Sequence, residues 1–221
     1  MDRQVEPELM DEDTQARAYS EADFAAPHDR FVELFLEACP TARASVGPFL
    51  DLGCGPADVT VRVARACERA AVHGVDGSAA MLHYGDLRVR AAGLSSRITL
   101  TRALLPRDRA PASAYPFIFS NSLLHHMHEP AGFWSTVAKY RATGGKVFVM
   151  DLMRPSSPAD VERIVDEHSA GEPEILRRDF HASLCAAFTI AEVESQLREA
   201  GLTDLHARAV SDRHLTIAQR S

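Results

Sequence analysis

The stretch that most constrains this chain is Phe49-Leu50-Asp51-Leu52-Gly53-Cys54-Gly55-Pro56-Ala57-Asp58. An apolar run that ends in an acid and meets two glycines reads as a buried strand feeding a tight turn. Gly53 and Gly55 remove the Cβ atoms where a ligand must approach the backbone. Pro56 suits the first position of a following helix, where its missing N–H costs nothing. A helix opening on a glycine turn presents free N–H groups and the positive end of its dipole, so this is a nucleotide-type site.

Reading outward, Val59 to Ala70 continues as a helix, and Ala71 to Asp76 as a second strand ending in an acid. Ser78 to about Ala92 predicts a helix that Ser78 caps and Gly93 stops. Arg97–Thr101 is a third strand and Phe117–Asn121 a central fourth. Pro130 to about Arg141 is helical, and Gly144-Gly145 turns into a fifth strand, Lys146–Asp151. This alternation predicts a parallel sheet covered on both faces. The remainder differs: Pro155 to about Ala187 predicts irregular helix broken at Pro158 and Pro173, Thr189 to Ala200 a helix, and Leu205–Val210 with His214–Ala218 an antiparallel hairpin.

Upstream, Met1 to about Thr14 is acidic and poor in apolar residues, which predicts a solvated tail. Residues 1–28 are read as this tail, partly helical, and 29–221 as one domain with a covering insertion over about 153–187. Asp29 to about Cys39 fits an amphipathic helix. It could serve as a lid, but packing on the sheet is the favoured reading.

Of the 221 residues, 46% are hydrophobic, enough for a sizeable core, and the net charge of −7 argues against a broad basic footprint for nucleic acid. Cys39, Cys54, Cys67 and Cys185 show neither paired nor metal-ligating spacing, so reduced thiols and no metal are expected. No basic-then-apolar leader opens the chain and no apolar run is long enough to span a bilayer. A cytoplasmic protein is the expectation.

A dinucleotide turn wants a third glycine where Asp58 stands. Asp51, before the glycines, would repel a phosphate but would welcome an ammonium. Asp76, at the end of the second strand, can accept both hydroxyls of a ribose. Together these fit a ligand with an ammonium, a ribose and no pyrophosphate, such as S-adenosyl-L-methionine.

At this point the chain resembles the class I S-adenosylmethionine-dependent methyltransferases, in particular the quinone-biosynthesis-like branch. The resemblance rests on Leu50 to Pro56, on Val72 to Ser78 with Met81-Leu82, on Phe119-Ser120-Asn121-Ser122-Leu123-Leu124-His125-His126, and on Gly144 to Val147. It implies a Rossmann-like, doubly wound, seven-stranded α/β sheet, mostly parallel, with the antiparallel hairpin at its end. It also implies that Asp51, Gly53, Cys54 and Gly55 line the methionine end of the cofactor and that Asp76 holds the ribose. Gly77, Ser78 and Met81 would flank the adenine, with Ser120 and Asn121 beside the sulfonium. Alternatively, Asp51 only orders the turn and Asp76 only caps the next helix. The family often places an acid after the third strand to meet the adenine amine, and here Thr101-Arg102-Ala103-Leu104-Leu105 has none before Asp108.

Methyl transfer from a sulfonium needs mostly positioning. A base is required only for an acceptor that arrives protonated, and the candidates are His125, His126, His128 and His181. His125 or His126 could instead pack under the following helix. Arg154, Arg177 and Arg178 could clamp an anionic acceptor, with His181 nearby, although Arg177 reads better as a solvated face. The expected partner is a small-molecule acceptor, without nucleic acid or membrane, and a homodimer is compatible. Two other readings use the same fold and cofactor: an enzyme that does not methylate, and a catalytically silent binding scaffold.

Overall fold

The computed structural model describes residues 1–220. Its strands are β1 (Phe49–Leu52), β2 (Val72–Asp76), β3 (Ile98–Arg102), β4 (Tyr115–Asn121), β5 (Arg141–Leu152), β6 (Leu205–Ala209) and β7 (His214–Gln219). They form one sheet in the order β3-β2-β1-β4-β5-β7-β6. The first five run parallel, and β7 pairs antiparallel with both β5 and β6. The strand order reverses between β1 and β4, and ligands of open α/β sheets bind at the carboxyl edge of that switch point.

Strand residues alternate between two cores, as the pleat demands. Phe49, Phe117, Phe119 and Phe148 face one side, where they meet α2 (Ala25–Ala38) and α3 (Asp58–Ala66). Leu50, Ile118, Val147 and Ile217 face the other, against α5 (Pro130–Tyr140) and α8 (Ile190–Glu199). The amphipathic helix α2 therefore packs on the sheet, with Phe31 and Phe35 fully buried against Phe119 and Phe148. Burying two such rings stabilises the pair of layers by about 1.5–3 kcal/mol each. Between β2 and β3 runs α4 (Ala79–Ala91), which Ser78 caps by accepting from the Met81 N–H. The strand β5 begins earlier than the glycine pair suggested: Arg141 pairs with Tyr115 and Lys146 with Phe117, so residues 142–145 loop out between them. Gly144 supplies the φ of +72° that this loop needs.

Over the carboxyl edge lie α6 (Pro158–His168) and α7 (Glu174–Ala186). Both prolines expected to break this region start its helices instead. Pro158 sits in the first turn of α6 behind the Ser157 cap, and Pro173 precedes α7. Thr189 and Glu192 close a capping box at the start of α8.

The acidic opening is not a free tail. Residues 13–21 form α1 (Asp13–Glu21), and the residues before it lie across the carboxyl edge. The Arg3 guanidinium stacks 3.9 Å from the Phe188 ring centroid and donates to the carbonyls of Ala186, His125 and Met127. Glu8 accepts from the His128 N–H, and Asp11 from Ser78 Oγ and the Ala79 N–H. Composition predicted solvation because each of these charged residues finds its partner on a distant element. Among the described residues, no helix is long and apolar enough to cross a membrane.

Candidate cofactor and acceptor site

A cavity of about 1150 Å³ opens at the switch point. Its floor is the glycine turn, fixed by the N–H groups of Gly53 and Cys54, which both donate to the Val75 carbonyl. Gly53 and Gly55 have φ of +69° and +50°. A Cβ on Gly53 would sit 2.7 Å from the Leu123 side chain, whereas one on Gly55 would meet nothing within 4 Å. The open space over Gly55 belongs to the cavity. Cys54, Gly77, Met81 and Asn121 line the same end.

Two acids address this floor. Asp51 is 2% exposed and accepts from Thr60 Oγ1 at 2.6 Å. Burial pushes its carboxyl up to about 7. Asp76 accepts from the Gly55 N–H with one oxygen and from the Ser78 N–H with the other, each at 2.8 Å. Burial raises it as well. Asp76 thus ties the glycine turn to the start of α4 while lining the cavity, so the binding and capping readings describe one arrangement. Where an acid often follows β3, Ala103, Leu104 and Leu105 line the wall, and Asp108 turns back to accept from the Leu104 N–H at 2.7 Å.

Several residues expected at the site do other work. Ser120 is fully buried and donates to the Leu52 carbonyl at 2.7 Å, stitching β4 to β1. Ser78 lines the wall but spends its hydroxyl on the α4 cap and on the Met10 carbonyl. Arg154 is buried beneath the insertion, where it donates to the Ala187 carbonyl and to Glu192 at 2.6 Å. Arg178 is exposed and paired with Asp179, and half-buried His181 lies 3.2 Å from Glu162. Helical phase explains the last two. The residues of α7 that face the cavity are Leu176, Asp179, Phe180 and Ser183, one stripe at i, i+3, i+4 and i+7. That phase turns Arg177, Arg178 and His181 outward, and Arg177 pairs with Asp166. Trp134 is fully buried in the core, whereas Phe180 reaches the cavity.

His125 and His126 do reach it, on the short 3₁₀ turn after β4. His125 Nδ1 lies 2.6 Å from Asp151, which also accepts from the N–H groups of Leu124 and Leu152. Burial works against the His125 charge, but Asp151 and Glu6 outweigh it and hold the imidazole above its usual value. Burial, with the neighbouring His125, pushes His126 down to about 3. Glu6 comes from the opening segment and stands 3.5 Å from His125 Nε2 and 3.3 Å from His126 Nδ1. Asp151 and Glu6 are the functional-looking residues that the sequence reading missed. So is Asp58, which holds His28 at 2.6 Å and Arg62 at 2.7 Å on another wall. Burial opposes the Asp58 charge, and these two partners keep its carboxyl well below the usual range regardless.

The donor set fits S-adenosyl-L-methionine: Asp51 suits its ammonium, Asp76 its ribose, and the side-chain-free space over Gly55 admits a ligand against the backbone. Residues 49–145 match a family model described as a methyltransferase domain. Among solved structures, the chain is similar to a SAM-dependent methyltransferase from Aquifex aeolicus, at 15% identity over 94% of this chain and 97% of that one, with a TM-score of 0.65. It is similar to phosphoethanolamine N-methyltransferase 2 of Haemonchus contortus, solved with S-adenosyl-L-methionine, at 16% identity over 90% of this chain and 44% of that one, TM-score 0.66. A plantazolicin methyltransferase solved with S-adenosylhomocysteine matches at 14% identity over 95% of this chain and 97% of that one, TM-score 0.64. At these identities the structural likeness is one of fold, and the domain match supplies the activity class. The chain therefore carries a methyltransferase domain, on a fold it shares with S-adenosyl-L-methionine-dependent methyltransferases.

Proposed function

We propose that the methyl acceptor is a small molecule bound in the same cavity, beyond the glycine turn. One observation carries this reading. The cavity holds about 1150 Å³, more than the roughly 300–1,000 Å³ of a pocket for one ligand, and beyond the glycine turn it is walled by the inner stripe of α7. Phe24, Phe133, Leu176 and Phe180 line it, which favours an acceptor with an apolar body. Such an acceptor is compatible with the quinone-biosynthesis-like branch that the sequence resembles. S-adenosyl-L-methionine, when bound, supplies an electrophilic methyl group on a good leaving group. The chain's own residues then have to orient the acceptor, exclude water and, for a protonated acceptor, help the proton leave; His125 and His126, which line the cavity, are the proposed candidates for that role. Cytoplasmic residence and a homodimer belong to the same proposal: the four free thiols are all buried, which suits a reducing compartment.

The test is release of S-adenosylhomocysteine from the full chain against a panel of small acceptors, with RNA and protein pools run beside it. Turnover confined to apolar small molecules supports the reading, and turnover confined to the macromolecular pools overturns it.

A further inference from the structure

The opening segment does more than roof the cavity. Glu6 Oε1 and His126 Nδ1 are each buried from solvent and have no hydrogen-bond partner among the described residues. Leaving two such buried atoms unpaired is unfavourable, so their convergence asks for a third party. One ligand atom from each of Glu6, His125 and His126 lies within 4.8 Å of the other two. The two edges that meet at Glu6 are 3.3 Å to His126 Nδ1 and 3.5 Å to His125 Nε2. A cation bound at about 2.0–2.2 Å to nitrogen and oxygen sets tetrahedral ligands about 3.3–3.6 Å apart, so both edges already have the length a metal requires.

We propose that Glu6, His125 and His126 form a divalent metal site, with zinc as the cation that fits its nitrogen-rich, tetrahedral spacing. Two histidines and one carboxylate are the donor set of an open site, which keeps a fourth position for water or substrate. The next shell is also in place. His125 turns Nε2 toward Glu6 and Nδ1 toward Asp151 at 2.6 Å, the carboxylate–histidine arrangement that fixes the ring and strengthens a metal-bound imidazole. Asp151 is in turn anchored by the Leu124 and Leu152 N–H groups at 2.7 Å each. Glu6 is delivered by the seating of Arg3 on Phe188 and by the Gln4 N–H bonded to the Cys185 carbonyl. The site therefore assembles only when the opening segment lies across the carboxyl edge, and the metal would pin that segment there.

The cysteine spacing pointed to no metal because these ligands are two adjacent histidines and a glutamate more than a hundred residues away, a pattern with no sequence signature. The ligand set stands independently of the acceptor reading. Only its role rests on that reading: the cavity lies beside both histidines, so the open position can take an acceptor oxygen and lower its proton affinity.

The experiment is zinc titration of the full, metal-stripped chain by calorimetry, followed by X-ray absorption of the loaded protein. One equivalent should bind with two imidazoles in its shell. Glu6→Gln and His126→Ala should each weaken binding at least about tenfold, and Asp151→Asn about 10–100-fold. S-adenosyl-L-methionine affinity, measured on the same samples, reports whether each variant is folded and whether the cofactor reading stands. His168→Ala, in the exposed Glu167–His168–Asp212 cluster, should leave the zinc affinity unchanged. The proposal is overturned if the wild-type chain binds no zinc at micromolar concentration. Zinc affinity unmoved by the Glu6 and His126 changes, or a shell containing thiolate sulfur, overturns it too.

Discussion

The cofactor end of the cavity is built within one run of chain, from Asp51 through the glycine turn to Asp76 and Met81. The far end draws on Glu6, His125 and His126, Asp151 and the inner stripe of α7. The first end is a local solution: strand, turn and helix each fix the next, and the acids fall at strand ends because the ligand edge is there. The second is a tertiary solution, in which charged side chains converge only by meeting across the sheet edge. The two ends should therefore respond differently to substitution.

The largest effect is expected at the local end. Asp76→Ala removes the acceptor for two buried N–H groups, those of Gly55 and Ser78, and should raise the cofactor Kd by about 100-fold or more, read by calorimetry. Wild-type affinity in this variant would break the contrast, because the turn would then hold the ligand without its acid. His126→Ala should act at the other end, cutting turnover by about 100-fold while cofactor Kd stays put. Equal losses in both would mean that the ends are one unit.

A third test uses pH. The Asp51 carboxyl lies at about 7 in the folded chain, against an ordinary 3.8. Between those values the ligand-free fold holds a proton that the unfolded chain has released, so its stability falls as pH rises through this window. An ammonium needs Asp51 ionised, so cofactor affinity should move the other way, about tenfold weaker at pH 6 than at pH 8. Asp51→Asn should flatten that dependence; a slope that persists in the variant belongs to another group. The smallest effect belongs to the outer face of α7. Arg178 is exposed and paired with its neighbour, so Arg178→Ala should change acceptor KM by less than about twofold.

What could be read from the sequence follows the same division. The parallel sheet, the C-terminal hairpin and the cofactor floor were legible because glycine, proline and period-two patterns act over a few residues. The positions of Asp51 and Asp76, on β1 and β2 and lining the cavity, were legible for the same reason. Ser120 was misplaced because a strand-end hydroxyl can face the cavity or the neighbouring strand, and only the pairing of β4 with β1 decides. Arg178 and His181 were misplaced because the stripe of α7 that faces the cavity is set by how the helix packs, which composition does not show. The opening segment was the largest miss. Its acids look solvated until Arg3, Glu6, Glu8 and Asp11 each find a partner far along the chain.

The central claim is that the glycine turn with its two acids holds S-adenosyl-L-methionine. The most direct measurement is native mass spectrometry of the purified full chain, followed by titration of the stripped protein with the same cofactor. The account predicts an adenosyl ligand carried through purification and saturable one-to-one binding that Asp76→Ala weakens by about 100-fold or more. No adenosyl ligand and no saturable binding by the wild-type chain would contradict it.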